Sequence, residues 1–416
     1  MKIGKLIYKN LLWRGFFYLT SLGLNIGIAR MLGADLSGEL FFFLTNIYLV
    51  LLIGSLCLDA GITYYVSKKD AAETILASFS LVWSLIVSFI IAGLFILFYK
   101  TSNPVFKNSF LLYASVAYSL GTFLNMYFTA FFYSYDNYKT PNLVAGIFNL
   151  CLLSCIPWQR DWPVSFDTKM FLLIFFSATL LQGVVIAILW FVKSKKPFLL
   201  NFNGIRKIIP VMKYSITALA GNFTYFILYR IDYWFVDEYC SAKSLGNYIQ
   251  VSRLGQLLIL PSAIIAGALF PQASKENITF ETKSFGKIVL AMLFCYALAT
   301  VLLYLFGEPV ILYLWGNEFN EMHEPLMIIM PGVIFLAVSY LFSPLFAGQG
   351  KVSYNVLIAL LTLVVVVICN LLLVPVWGIN GAAASTSIGF LVMMILNLII
   401  ANRKFGFTLN IFSGKS

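Results

Sequence analysis

Histidine occurs once in the 416 residues, at His323, and Asp and Glu together number only 17. So little acid and imidazole excludes most hydrolytic and metal chemistry. No His-Glu-x-x-His pair, P-loop or Gly-x-Ser-x-Gly elbow occurs, and no two aspartates stand at Asp-x-Asp spacing. Gly414-Lys415-Ser416 has the ending of a P-loop without its glycine frame. Six cysteines are present; Cys57, Cys151, Cys155, Cys295 and Cys369 lie in apolar runs, where the thiol acts as a small hydrophobe. Long polar connections are also missing: the longest, roughly 193–207, 273–284 and 307–325, leave no room for a separate soluble domain. The chain is therefore expected to be no enzyme and to need no metal or cofactor. His323, in an acidic stretch without ligand partners, reads as a solvated side chain.

What fills the chain is apolar. Hydrophobic residues make up 61% and charged residues 11%, with mean hydropathy +0.89. A soluble domain is about half apolar and a quarter charged. Apolar windows fall at 10–31, 38–66, 76–99, 109–134, 142–157, 168–192, 208–236, 245–272, 285–306, 326–346, 352–374 and 379–401. Judged by the roughly 20 residues a bilayer requires, this is about twelve spans. The fifth is the weakest, being short and ending at Pro157-Trp158. Lys9 and Arg14 bracket the start of the first window with no small-residue cleavage site after it, so a retained helix is expected there.

The net charge of +11 is placed on one side. With alternating loops, twenty Lys and Arg residues share the side of the N-terminus and six take the other. The positive-inside rule then puts both termini in the cytoplasm and accounts for the basicity without nucleic acid. The 307–325 stretch carries four glutamates and neither Lys nor Arg, as an outside loop should.

The two halves match weakly. Gly38 in RMLGADLSGEL and Gly246 in the second half are 208 residues apart, and Lys139 and Lys351 are 212 apart. An offset of six spans keeps orientation, so the repeats would be parallel, with an axis along the membrane normal. The expected fold is an all-α membrane protein of about twelve transmembrane helices in two six-helix lobes related by that pseudo-twofold. Its divisions are an N-terminal lobe 1–192, a basic cytoplasmic linker 193–207 and a C-terminal lobe 208–416. Such lobes around a central cleft suit alternating access. Pro261 and Pro331, inside spans, mark kinks that could serve as hinges.

Charges inside the spans carry the functional signal, because ionisable groups at membrane depth usually face a protein interior or a water-filled cavity. Arg230 and Asp232 fall in the seventh span and Arg253 in the eighth; Arg14 and Arg30 sit near the ends of the first, and Asp59 is in the inner half of the second. At 100° per residue Asp232 shares a face with Tyr229 and Tyr225, with Asn222 at its edge, while Arg230 turns towards Trp234 and Asp237. One account makes Arg230, Arg253, Arg14 and Arg30 a cationic cleft wall for an anionic or pyrophosphate-bearing solute, since the guanidinium fork matches phosphate oxygens. In it, Asn222, Tyr225 and Tyr229 are supporting polar lining, and Asp59 and Asp232 are candidates for ion coupling or helix pairing. The other account pairs Arg230 with Asp237 and Arg253 with Asp232 as internal ion pairs.

These segments together resemble the oligosaccharide flippases of the multidrug, oligosaccharidyl-lipid, polysaccharide (MOP) exporter superfamily. The likeness runs through Asn10 and Trp13, RMLGADLSGEL, the long RIDYWFVDEYCSAKSLGNYIQVSRLGQLLILPSAIIAGALFPQAS, then LWGNEF, GQGK and NLLLVPVWGINGAAAST. It covers nearly the whole chain, though each motif is short. It implies export of an undecaprenyl-pyrophosphate-linked oligosaccharide, an O-antigen or capsular or exopolysaccharide repeat unit, across the bacterial inner membrane through a cationic cavity. Implied partners are that lipid-linked substrate, bilayer lipid, a polysaccharide polymerase and a chain-length regulator. A multidrug exporter of the same superfamily is the alternative; its branch usually places an acid in the N-terminal lobe, where Asp59 is the only one within a helix. A membrane glycan polymerase or ligase is a further alternative, disfavoured by the short loops.

Overall fold

The structure is a computed structural model that describes residues 3–68, 73–98, 108–156, 168–198, 206, 208–273, 282–348 and 351–405. Residues 199–205 and 207 of the basic linker, Pro157-Trp158 and the Gly414–Ser416 terminus lie outside them. Among the described residues the regular structure is helical, apart from a 3-10 turn at Asn317–Phe319. Backbone N–H and C=O groups in hydrocarbon need partners within their own segment, and an α-helix supplies them.

The helices run α1 Ile3–Gly54, α2 Leu58–Ser67, α3 Glu73–Phe98, α4 Asn108–Ser134, α5 Lys139–Ser154, α6 Thr168–Ser194 and α7 Ile209–Leu228. They continue as α8 Ile231–Tyr239, α9 Ala242–Leu258, α10 Leu260–Ala273, α11 Thr282–Trp315, α12 His323–Gly348 and α13 Val352–Phe405. They occupy each of the twelve apolar windows. Among the described residues seven stretches are, by length and composition alone, long and apolar enough to cross a membrane. Long side chains such as Phe89, Phe98, Phe294, Tyr304 and Val376 are exposed along them, the exterior of a multi-pass membrane protein.

The chain departs from simple rods at particular residues. The expected loop between the first two spans is absent; Gly33 alone interrupts α1, at φ 75° and ψ 175°. Only glycine enters that region readily. Gly378, at φ 56° and ψ −133°, divides α13 in the same way. The second span breaks again between Gly54 and Leu58, where Leu56 and Cys57 are left-handed. The seventh breaks at Tyr229–Arg230 and the eighth at Ile259. Pro261 opens α10 instead of kinking a continuous helix, while Pro331 lies inside α12.

By packing the chain separates into two compact units: residues 1–32 with 43–223, and residues 33–42 with 224–416. The first has an aromatic core in which Phe43 meets Phe95 and Phe176 edge-on, and Trp190 packs on Phe128 and Phe131. The second is centred on Leu336, Leu341, Phe342 and Phe346 of α12 against Val366 and Phe390 of α13. In it the 33–42 segment lies directly on α9. A Cβ on Gly38 would stand 2.8 Å from the backbone of Ala242 and Gly246, and one on Gly246 would overlap the Ala34 carbonyl oxygen. The two glycines that head the matched halves thus touch each other. Glu318 Oε2 accepts from the Ala34 N–H at 2.9 Å, capping the helix restarted after Gly33.

Gly246→Val is expected to destabilise the protein by about 1–3 kcal/mol, the range for overpacking a tight contact. Gly93→Ala, where a Cβ meets nothing within 4 Å, is the control. Thermal unfolding of both variants in detergent checks this. Equal melting temperatures would show that the helix crossing tolerates a side chain.

Candidate functional site

The break in the seventh span positions the central charges of the second unit. Arg230 occupies the non-helical step before α8, at φ −135° and ψ −10°. From there its Nη1 donates to the Tyr233 hydroxyl at 2.7 Å and its Nη2 to Gln256 Oε1 at 2.9 Å, with the guanidinium 5.0 Å from the Tyr233 ring centroid. Gln256 is in turn held to Ser252 at 3.3 Å. The side chain therefore turns to Tyr233 and Gln256, and not towards Trp234 and Asp237. Both hydrogen-bond partners are neutral, the guanidinium remains half-buried, and Asp232 is the carboxylate within its electrostatic reach.

Asp232, two residues on, is buried. Its Oδ1 accepts from the Tyr233 N–H at 3.1 Å, and its Oδ2 accepts from the Tyr248 hydroxyl and, at 3.5 Å, from Thr386. Ion pairs among the described residues include Lys196–Glu73 and Lys243–Glu321. Asp232, the acid assigned to Arg253 in the paired account, is held by hydroxyls. Arg253 lies over Phe41, with its guanidinium carbon 3.8 Å from the ring centroid. Tyr225 and Tyr229 do stack near this group, at 6.1 Å between centroids. Their hydroxyls reach towards Asn355 O and the Tyr340 hydroxyl, both at 3.4 Å.

The remaining candidates belong to the first unit. Asn222 donates to Cys57 Sγ at 3.4 Å. Arg14 is exposed and lies over Tyr133 at 4.9 Å and Tyr138 at 5.9 Å. Around it Lys139 covers Trp13 at 5.2 Å, and Lys193 donates to Thr140 at 2.9 Å. This is an aromatic and cationic cluster at the Lys139 end of α5. Nearby, Tyr135 donates to Glu73 at 2.6 Å, and burial followed by that carboxylate pushes its phenol well above the usual range. Arg30 is exposed near the end of the first span. Asp59 lies in the first turn of α2, just past the break. His323 is not simply solvated: its Nε2 stands 3.3 Å from the Leu303 carbonyl oxygen.

Sequence reasoning missed Gln256, Tyr248 and Thr386. Gln256 was signalled by its place in the apolar run LGQLLILP. Tyr248 and Thr386 carry no such signal, because both residues are common in ordinary spans.

The family model described as Lipid II flippase MurJ matches residues 255–414, and the one described as Polysaccharide biosynthesis protein matches 172–324. The "Probable low-salt glycan biosynthesis flippase Agl15" of Haloferax volcanii is 23% identical over 229 residues, 53% of this chain and 47% of that protein. The chain thus spans about half the length of that relative. A solved Lipid II flippase MurJ in an inward closed conformation superposes with TM-score 0.73 at 14% identity, covering 94% of this chain and 87% of the other. An inward-facing multidrug resistance MATE family transporter of the MOP superfamily gives 0.71 at 13%, covering 94% of each.

Tyr248→Phe removes the hydroxyl that serves buried Asp232 and is expected to cost about 1–3 kcal/mol, the penalty of a buried acceptor losing its donor. The change is read as a lower melting temperature. A variant as stable as the parent would mean that the contact contributes nothing. The chain has the fold of these MurJ and MATE transporters, and its sequence likeness is to the family models described as Lipid II flippase MurJ and Polysaccharide biosynthesis protein and to the Haloferax glycan biosynthesis flippase.

Proposed function

We propose that the protein is a flippase that exports an undecaprenyl-pyrophosphate-linked oligosaccharide, an O-antigen or capsular or exopolysaccharide repeat unit, across the bacterial inner membrane by alternating access. Movement of a glycan-linked lipid across a membrane is supported by the names of the matched families and of the Haloferax relative. The polyprenyl carrier, the inner membrane and the cytoplasmic termini are this reading's own, drawn from the charge asymmetry.

The observation that carries it is the guanidinium of Arg230. It is fixed by a carboxamide and a phenol and partly open, and so keeps its positive charge for a phosphate-bearing ligand. Two forked N–H groups on one rigid centre suit a pyrophosphate better than a point charge does. Arg253, over the Phe41 ring, is the second cation in this role. The alternative, a drug exporter, has the same fold but needs an acid for cationic solutes. The acid that this branch usually places in the N-terminal lobe has a counterpart here in Asp59, so it is the sequence likeness to glycan flippases that favours the first reading.

A charge-assisted contact to phosphate contributes about 1.5–3 kcal/mol. Arg230→Ala should therefore reduce export about tenfold or more, and Arg230→Lys should restore only part of it. Surface glycan, lipid-linked intermediate inside the cell and membrane protein level are measured together in a deletion strain carrying each variant. Normal surface glycan from Arg230→Ala at normal protein level would overturn the cationic-site reading.

A further inference from the structure

Helix α2 has a side that does not belong against lipid. Its aliphatic residues Leu58, Ile62 and Val66 are buried in the first unit. Its exposed side chains are Thr63, Tyr64 and Ser67, followed by the capping Lys68. At 100° per residue these four share one arc, next to Gly61. Helix α3 of the same unit does the opposite and exposes Ile86, Phe89, Ile90, Leu97 and Phe98. A helix side turned to hydrocarbon carries residues of that kind, whereas hydroxyls, a phenol and an ammonium turn to water.

Helix α7 meets this side at Gly61, where an added Cβ would overlap Ser215 Oγ and stand 2.8 Å from Val211 Cγ1. Beside that crossing the Tyr64 and Tyr214 rings stack, with centroids 4.5 Å apart and planes 12° from parallel. Tyr65 closes the pair edge-on, 5.2 Å from Tyr64 and 6.2 Å from Tyr214. The Lys68 ammonium donates to the Tyr64 hydroxyl at 2.5 Å and stands 4.2 Å from that ring's centroid. Tyr64 and Tyr214 still keep 37% and 41% of their surface exposed, so the pair is open to a ligand. On α7 the arc of Tyr214 also holds Pro210, Thr217 and Gly221, while Ile209, Ile216 and Phe223 repeat on another. Thr63 Oγ1 donates to Asp59 O at 2.8 Å and Thr217 Oγ1 to Lys213 O at 3.1 Å. Both hydroxyl hydrogens thus serve their own helices, and both oxygens can still accept.

We infer that the Tyr64–Tyr214 pair is a sugar-binding site, where a pyranose ring of the transported glycan lies against the phenol rings and its rim hydroxyls meet Thr63, Thr217 and Lys68. That the sugar belongs to a transported lipid rests on the flippase reading. A pyranose needs both features, a π system for its C–H groups and polar atoms around it for its hydroxyls. An aliphatic solute would find no aliphatic side chain on either arc, and a cationic one would meet Lys68 and Lys213. A bare phosphate would have no use for the rings. Because Tyr64, Tyr65 and Tyr214 already hold one another, little side-chain freedom is lost when a sugar settles on them. The site's residues all belong to the first unit, while Arg230 and Arg253, assigned to the pyrophosphate, belong to the second.

The test uses the full chain in lipid nanodiscs with soluble glycans that carry neither lipid nor pyrophosphate: maltotriose, triacetylchitotriose and trigalacturonic acid. Saturation-transfer NMR reads which sugar protons touch the protein, and titration of the signal gives the affinity. At least one glycan should receive transfer at its ring C–H protons and bind about threefold or more weakly to Tyr64→Ala and to Tyr214→Ala. Tyr64→Phe and Tyr214→Phe keep the rings and should keep the contact. Should the alanine variants melt early or fail to fold, Tyr64→Leu and Tyr214→Leu retain bulk without the π system and should show the same loss. No transfer to any of these glycans, or transfer undiminished in the alanine or leucine variants, would overturn the proposal. Movement of a labelled lipid-linked glycan by protein that shows no such contact would sink the site and leave the flippase reading standing. Contact without movement would support the site and count against export.

Discussion

The rest of this structure depends on one requirement: a backbone polar group inside an apolar medium must find its partner within the protein. Leaving such a group unpaired costs several kcal/mol. Each helix meets the requirement along its length, and each departure from a helix has to meet it again. The Gly54–Leu58 break does so with the Trp83 indole and the Tyr127 hydroxyl. The restart after Gly33 does so with the Glu318 carboxylate on the Ala34 N–H. These side chains are structural in that sense, although they are the polar groups a functional reading notices first.

The same requirement explains why charges survive inside the spans. Arg230 stands where the seventh span is already broken, so the irregular backbone and the polar side chain share one set of partners, Tyr233 and Gln256. Asp232 is served by Tyr248 and Thr386, and it ties α8 to α9 and α13. Clustering the defects limits the number of places where the helical rule is relaxed. A mobile transporter can concentrate ligand binding and conformational change at such places.

The helical class and the position of the helices were legible in the sequence, because long apolar windows and their polar punctuation follow directly from bilayer thickness. The Gly38 and Gly246 match was also legible, and the structure gives it a physical sense, since these glycines meet where no side chain fits. The breaks were not legible. Nothing in IGSLCLDAG announces a left-handed Leu56 and Cys57, because the residues that stabilise them, Trp83 and Tyr127, come from other helices. The intramembrane Arg and Asp could be named from their depth, but their partners could not. A helical wheel carried through Arg230 assumed a continuity that stops at Tyr229, and so sent Arg230 towards Asp237 when it reaches Gln256. Asn222, at the edge of the same wheel, has its partner on another helix, at Cys57.

The central claim is that this fold moves a lipid-linked glycan with its pyrophosphate bound by fixed guanidinium groups. Purified protein reconstituted in liposomes with a labelled undecaprenyl-pyrophosphate oligosaccharide tests it most directly, by following label accessibility to a membrane-impermeant quencher. The account predicts that the labelled lipid crosses faster than in protein-free vesicles, and that a neutral analogue lacking the pyrophosphate does not. Transport of a cationic dye with no movement of the glycan lipid would contradict it.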